Sequence, residues 1–365
     1  TRLFLVAVSR SSEELLVTAV RSEDEQPSAL LALVDPRPAD EPRPLSDVAA
    51  PATLAGLVGE LRRAVVGPDP RRRGAAVTTL ARLAAAGVPG ADPAGWWILT
   101  RTSDERPRRA DGIPVAVSPS RVESFSRCQV RWLLQSHGGE GVSMGAADIG
   151  RLVHAIAHEL ADASESELVE AVRERWHVLG MPPGWLSDRK QREAERMVAR
   201  FARHVRESGE AGWTRVASEV AIDVALGRAV VRGQVDRLEA DPQGRLRVID
   251  LKTGSSKPTV AEVARHPQLG AYQLAVDAGA FSGYGSGSAG AALLQLGKAA
   301  KASAVDLQVQ SPLSQADDPT WARQLVQDTA QGMAGAAFMA TPGEACATCP
   351  LTGSCPARPE GRVLA

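Results

Sequence analysis

Long apolar segments and an excess of positive charge are both missing from this sequence of 365 residues. No apolar run reaches the roughly 18 residues of a membrane span, and the first residues lack the charged-then-apolar pattern of a secretion signal. We therefore expect a cytoplasmic protein without a membrane segment. The formal net charge is only −1, so any binding of nucleic acid must come from a local groove rather than from a generally basic surface.

Hydrophobic residues make up 44% and charged residues 23% of the chain, which is typical of a soluble protein with two or three domains. An apolar run at residues 3–8 predicts a buried strand. Because this run begins almost at once and the first residue is not methionine, we expect the chain to be a piece of a longer polypeptide. The remaining expectations for the first third are a strand or short helix at 15–20, a linker at 35–47, helices across 54–85 interrupted at 67–70, and a loop at 103–114.

From Ser118 onward, helical and strand patterns alternate more clearly. One predicted helix is charged and carries Ala194, Val198, Phe201 and Val205 at helical spacing. The other expected helices cover 120–135, 147–160, 267–277 and 320–333. Valine-rich alternating segments predict strands at 216–226, 229–239 and 246–251, with two more near 291–296 and 305–309 beyond a Gly/Ser stretch at 283–290.

Two carboxylates and a lysine are expected to meet on one face of a hairpin. The turn at residues 241–245 joins two of the predicted strands, which places Asp236 opposite Asp250. Alternation along the strand puts Lys252 on the same face. Such a group suits hydrolysis of a phosphodiester, because carboxylates hold Mg²⁺ or Mn²⁺ and a lysine can orient or help deprotonate the attacking water. Solvated charges are the alternative, but an apolar strand leads into this pair, and buried charges need partners.

His154 is a further candidate. The apolar residues of the helix at 147–160 form one stripe, whereas His154 lies on a face with Gly150, Ala157 and Ala161. Small residues permit close approach to a sheet, so the imidazole would project into the gap as a metal ligand does. The alternative is a surface histidine.

Four ordered motifs resemble those of RecB-family nucleases in the PD-(D/E)xK superfamily. They are GRLVH at 150–154, GQVDR at 233–237, VIDLKTG at 248–254, and Gln268 followed by Tyr272 one helical turn later. The match covers about residues 118–355 and departs from the superfamily's name at Val235, where proline is expected.

This resemblance implies an α/β fold with a restriction-endonuclease-like central mixed sheet flanked by helices. It also implies that His154, Asp236, Asp250 and the main-chain carbonyl of Leu251 bind the metal and that Lys252 serves catalysis. Gln268 and Tyr272, on one helical face, would contact the DNA backbone or brace the site.

The four cysteines are Cys128, far upstream, and Cys346, Cys349 and Cys355 near the end. Disulfides are rare in the cytoplasm, and this spacing favours a metal site; by ligand type, zinc and an iron-sulfur cluster fit equally well. The spacing resembles the iron staple of AddB-type nucleases, which implies a [4Fe-4S] cluster with a structural role. Free buried cysteines are the remaining alternative.

The first residues, up to Arg10, resemble motif VI of UvrD-type superfamily 1 helicases, in which an arginine reaches the γ-phosphate of ATP. Arg10 would take that role, although ATP would bind only if upstream sequence supplies a P-loop, since none follows. The expected domains are then a motor end at 1–34, a linker region at 35–117 and a nuclease at 118–365.

The whole pattern resembles the actinobacterial Adn-type helicase-nucleases. It implies a heterodimer that acts on double-stranded ends and single strands of DNA during resection of double-strand breaks. Two alternatives are a catalytically inactive domain of the same fold that binds DNA or a subunit, and a structural domain stabilised by zinc.

Overall fold

The structure, a computed structural model, describes residues 2–19, 27–38, 43, 53–96, 105–139, 146–254, 256–297, 305–347 and 349–358. The chain divides into two compact units, residues 1–104 with 342–365 and residues 105–341. The predicted linker at 35–47 lies mostly outside the described residues. Within the described residues, no helix is long and apolar enough to cross a membrane.

The described α-helices of the first unit are α1 (Arg2–Ser9), α2 (Leu54–Val66) and α3 (Pro70–Ala85). Asp69 caps α3 through its carboxylate, and Pro70 occupies the first helical position, so the break predicted at 67–70 is confirmed. A small core includes Val58, Leu80 and Trp96.

The strand predicted at residues 3–8 is wrong, because these residues form α1, which buries none of its side chains. A short apolar run is compatible with either a strand or a helix, and periodicity cannot separate the two. The second element predicted nearby, at 15–20, is irregular over its described residues.

The second unit is a mixed α/β domain with a central sheet flanked by helices. Its helices are α4 (Pro119–Arg127), α5 (Gln129–Gln135), α6 (Ala146–Glu159), α7 (Glu165–Arg175), α8 (Trp185–Glu210), α9 (Val260–Ala264), α10 (Pro267–Asp277) and α11 (Trp321–Ala334). Its strands are β1 (Val115–Val117), β2 (Thr214–Leu226), β3 (Ala229–Ala240), β4 (Leu246–Lys252), β5 (Ser288–Gln295) and β6 (Leu307–Gln310).

The sheet has the order β1-β3-β4-β5-β6, and β2 also pairs with β3. Strand β3 is long enough to serve two sets of neighbours: its first half pairs with β1 in parallel, and its second half pairs with β4 in antiparallel fashion. Strands β4 and β5 are parallel. This arrangement places the carboxyl ends of β4 and β5 at one edge of the sheet.

A tight turn fixes the register between β3 and β4. The Asp241 side chain accepts hydrogen bonds from the main-chain N–H groups of Gln243 and Arg245, at 3.0 and 2.9 Å. Gly244 has a φ of 78°, in the left-handed region that favours glycine. The resulting register sets Arg237 opposite Ile249.

The two faces of the sheet bury different helices. Val248 and Leu246 pack with α10, which is buried from Gln268 to Val276. Ile249 and Leu251 pack on the opposite face with α6, α7 and α8. Side chains of β4 therefore alternate between the two cores.

A buried charge cluster joins α8 to β3 and β4. Glu239 is 1% exposed, and its carboxylate accepts hydrogen bonds from Arg237 at 2.8 Å, Arg247 at 2.6 Å and Ser208 at 3.0 Å. His204 Nε2 lies 3.2 Å from the same carboxylate. Burial alone would raise the pKa of Glu239, but His204 and the two arginines outweigh it and hold the pKa far below its usual range.

Candidate active site

The two predicted acidic residues lie on neighbouring strands. The β3–β4 register, extended by one residue from the Arg237–Ile249 pair, sets Asp236 opposite Asp250. Asp236 Oδ2 accepts a hydrogen bond of 2.7 Å from the main-chain N–H of Leu251. Asp236 is thereby fixed against the end of β4.

Asp250 is 4% exposed and is held by two side chains from α10. Its Oδ1 accepts hydrogen bonds from Gln268 Nε2 at 2.6 Å and from the Tyr272 hydroxyl at 3.0 Å. Pro267 begins this helix, and the four-residue spacing of Gln268 and Tyr272 points both side chains at the same oxygen. Burial raises the pKa of the Asp250 carboxyl, and Lys252 partly offsets this effect.

Lys252 joins this group from the end of β4. Its Nζ lies 2.9 Å from Asp250 Oδ2 and donates a hydrogen bond of 2.6 Å to Gln268 Oε1. Burial lowers the pKa of Lys252, but the charges of Asp250 and Glu123 outweigh it, so that the net pKa is raised. Lys252 is therefore a cation at neutral pH.

Helix α6 brings His154 to the acidic pair. Its Nδ1 lies 3.4 Å from Asp236 Oδ1. Burial lowers the pKa of His154, whereas its contact with Asp236 raises it by more. The helix approaches the end of β4 closely, since a Cβ on Gly150 would lie 2.8 Å from Thr253 Oγ1. The structure thus brings together all six side chains predicted from the motifs.

The donor atoms suit a hard divalent cation. Asp250 Oδ2 is buried and accepts no hydrogen bond of suitable angle in the described part of the chain, and carboxylate and carbonyl oxygens are the ligands that Mg²⁺ and Mn²⁺ prefer. As the side chains stand, no three His, Cys, Asp or Glu residues among those described are grouped closely enough to hold a metal. Ligation would use Asp236, Asp250, His154 and the carbonyl of Leu251.

Two residues beside the site were not predicted from the sequence. His266, just before α10, is 5% exposed, and its Nε2 lies 3.6 Å from Glu123 Oε1 on α4. The Glu123 carboxylate also accepts a hydrogen bond of 2.6 Å from Arg127. No local pattern could have found this contact, because α4 and α10 are far apart in the sequence and meet only in the folded chain.

The cysteines lie in or beside short helices and turns. Cys128 separates α4 from α5, Cys346 lies in a short 3₁₀ helix, and Cys355 directly follows another. All four cysteines, including Cys349, are half-buried. Arg10 is exposed and directly follows α1, and its predicted contact with a nucleotide stays a prediction.

Comparison with known proteins identifies the family. Residues 116–356 match the family described as the PD-(D/E)XK nuclease superfamily. No curated protein sequence matches the chain. A solved structure titled "Crystal structure of SSO0001" is 13% identical, with a TM-score of 0.33, and the alignment covers 77% of this chain and 94% of that one. On the strength of the match over 116–356, which contains every strand but the first residue of β1, the chain belongs to the PD-(D/E)XK nuclease superfamily.

Proposed function

We propose that this chain is a metal-dependent DNA nuclease of the RecB type that hydrolyses phosphodiester bonds at Asp236, Asp250 and Lys252. The observation that carries the proposal is the clamp on Asp250: Gln268 and Tyr272 occupy its Oδ1, and Lys252 lies beside Oδ2. Burying a charged carboxylate beside a lysine lowers the stability of the fold. Such an arrangement is typical of catalytic sites.

The side chains have separable tasks in this reaction. A bound Mg²⁺ or Mn²⁺ would neutralise the phosphate and lower the pKa of the attacking water. Gln268 and Tyr272 fix the orientation of Asp250 by donating to its Oδ1, and its Oδ2 would be left to bind the metal. Lys252, held by Gln268 Oε1, supplies positive charge where negative charge develops on the phosphate.

A cleavage assay on the purified chain tests the proposal directly. Single-stranded and blunt double-stranded DNA are incubated with Mg²⁺ or Mn²⁺, and with EDTA as the control. We expect metal-dependent cleavage by the native chain and none by Asp236→Asn. Binding of DNA without cleavage under every metal condition would instead favour the catalytically inactive domain.

We further propose that Cys128, Cys346, Cys349 and Cys355 hold a [4Fe-4S] cluster that staples the ends of the nuclease region. Thiolates suit such a cluster. Support comes from the segment before Cys346: the N–H of Met339 bonds to the Gln129 side chain at 2.9 Å, and its carbonyl accepts from Val130 at 3.3 Å.

Met339 therefore lies beside the residues that follow Cys128. Cys346 is seven positions further along the chain, a stretch that can span at most about 25 Å. Elemental analysis of the anaerobically purified protein tests the staple. Iron with equal sulfide is expected, whereas zinc alone would show a structural zinc site.

The assembly proposed for the chain is a helicase-nuclease. Its domains would be a motor end at 1–34 with Arg10 at the nucleotide, a linker region at 35–117 and the nuclease at 118–365. A second subunit would complete a cytoplasmic heterodimer that resects double-strand breaks. Co-purification of the full-length protein with a second helicase-like chain, and ATP-dependent unwinding by the pair, would support this assembly.

A further inference from the structure

Several arginines along one face of α8 form no ion pair with any carboxylate among the described residues. Arg196, Arg200 and Arg203 are spaced four and three residues apart, which aligns them along the helix. In the part of the chain that the structure describes, none of the three forms an ion pair, whereas Arg189 and Arg206 on the same helix each contact a glutamate. Positive charge is therefore concentrated on this face of α8, which we call the arginine face.

Arg200 is the central member, and it is only 9% exposed. One terminal nitrogen donates to the main-chain carbonyl of Leu296, and its Nε is buried with no hydrogen-bond partner among the residues that the structure describes. Burial first, and then the like charges of Arg196 and Arg203, lower the pKa of Arg200. The Leu296 carbonyl accepts a hydrogen bond from this guanidinium, but no described carboxylate offsets its burial and the neighbouring positive charge. A buried guanidinium in this arrangement would be stabilised by an anion from outside the chain.

The arginine face lies at the same edge of the sheet as the active site. Leu296, whose carbonyl contacts Arg200, donates its own N–H to the Lys252 carbonyl at 2.8 Å. Gly297 passes so close to the end of β4 that a Cβ there would lie 2.1 Å from the Thr253 carbonyl oxygen. One residue, Leu296, thus links the buried arginine to the strand that carries the catalytic lysine.

The two groups lie on different faces of that strand. Leu251 packs with α8, and the Lys252 side chain points to Gln268 on the side of α10. A phosphate at the arginine face is therefore distinct from the phosphate that is cleaved.

We propose that Arg196, Arg200 and Arg203 bind a backbone phosphate of the DNA strand, flanking the scissile phosphate at the shared edge of the sheet. This inference rests on the proposed nuclease function, because that function supplies the polyanion. Guanidinium groups suit phosphate through paired, charge-assisted hydrogen bonds. The site positions the strand and takes no part in the chemical step.

Salt-dependent binding of a single-stranded oligonucleotide in EDTA, where metal-dependent cleavage cannot occur, tests the site. The double variant Arg196→Gln with Arg203→Gln changes only side chains that are not fully buried and should fold. The slope of log K against log salt is negative, and we expect its magnitude to be smaller in the double variant. The decrease should be about 0.7 for each phosphate that the variant no longer neutralises. Arg206→Gln, on the same helix but paired with glutamates, is the matched control and should leave the slope unchanged.

A second variant, Arg200→Met, separates ligand binding from a purely structural role. Inorganic phosphate should raise the Tm of the native chain and raise that of Arg200→Met by less. If phosphate protects both chains equally, or if the slope in the double variant equals that of Arg206→Gln, the arginine face is not a phosphate site.

Cleavage is measured separately with Mn²⁺. At saturating protein, the single-turnover rate of the double variant should match that of the native chain, while the protein concentration giving half the maximal rate should rise. A native chain that binds DNA with the expected slope but never cleaves it would refute the nuclease proposal and leave the phosphate site standing. If the native chain cleaves DNA efficiently but the double variant has the same salt slope as the native chain, only the phosphate site is refuted.

Discussion

The buried Glu239 cluster provides a quantitative test of what holds the nuclease domain together. Glu239→Gln keeps the shape of the side chain but removes the charge that Arg237 and Arg247 contact at 2.8 and 2.6 Å. Removing one partner of a buried ion pair costs about 3–5 kcal/mol, because the remaining charges stay buried without compensation. For a domain of this size, such a loss should lower the Tm by about 10 °C.

The pH dependence of this effect has a defined sign. The pKa of Glu239 is lowered in the folded chain, so its stabilisation is complete above the unfolded pKa of about 4.3 and declines as the pH falls below it. The difference in the free energy of unfolding between the native chain and Glu239→Gln should therefore be constant from pH 7 to 5 and shrink toward pH 3.

Thermal and urea unfolding at several pH values, followed by circular dichroism, measure this difference. Glu210→Gln is the control, because Glu210 is exposed and its one ion pair within the described residues is with Arg206, at 3.7 Å. The Tm of this variant should change by less than about 2 °C. A Glu239→Gln variant as stable as Glu210→Gln, or a difference that does not change between pH 7 and 3, would refute the reasoning.

Three further predictions concern the site and the cysteines. Asp250→Asn should abolish cleavage while preserving the circular dichroism spectrum, and cleavage at the native rate would exclude Asp250 from metal binding. Lys252→Ala should retain metal binding, measured by titration, but slow single-turnover cleavage about 10²- to 10³-fold; an unchanged rate would remove Lys252 from the mechanism. Cys346→Ala should bleach the brown absorbance and lower the Tm, and a colourless, stable and fully active variant would contradict the staple.

The hairpin of the site could be predicted because its information is local. A five-residue turn and two alternating strands determine that Asp236 faces Asp250, and Pro267 marks the start of the helix that carries Gln268 and Tyr272. Each of these signals lies within a few residues of the feature it specifies. The same holds for the break at 67–70, where Asp69 and Pro70 begin α3.

Other features depended on contacts that no local pattern contains. Strand β1 has only three residues, too few to show a period of two, and it forms because β3 offers it a partner. Helix α7 was not predicted, although Ser164 and Glu167 form a capping box at its start. Arg200 resembles any surface arginine in the sequence, and only its burial against Leu296 distinguishes it.

The distances along the chain between the site's partners bear on the order in which the site assembles. Asp236 meets Leu251, and Asp250 meets Gln268 and Tyr272, across separations of only 15 to 22 residues. Such contacts close small loops. The contact between His154 and Asp236 closes a much larger loop, because α7, α8 and β2 lie between the two residues in the sequence. We expect the acidic pair and its clamp to form early in refolding and His154 to dock last. Pulsed hydrogen exchange would then protect the Leu251 amide before the amides of α6, and the reverse order would show that the helix nucleates the site.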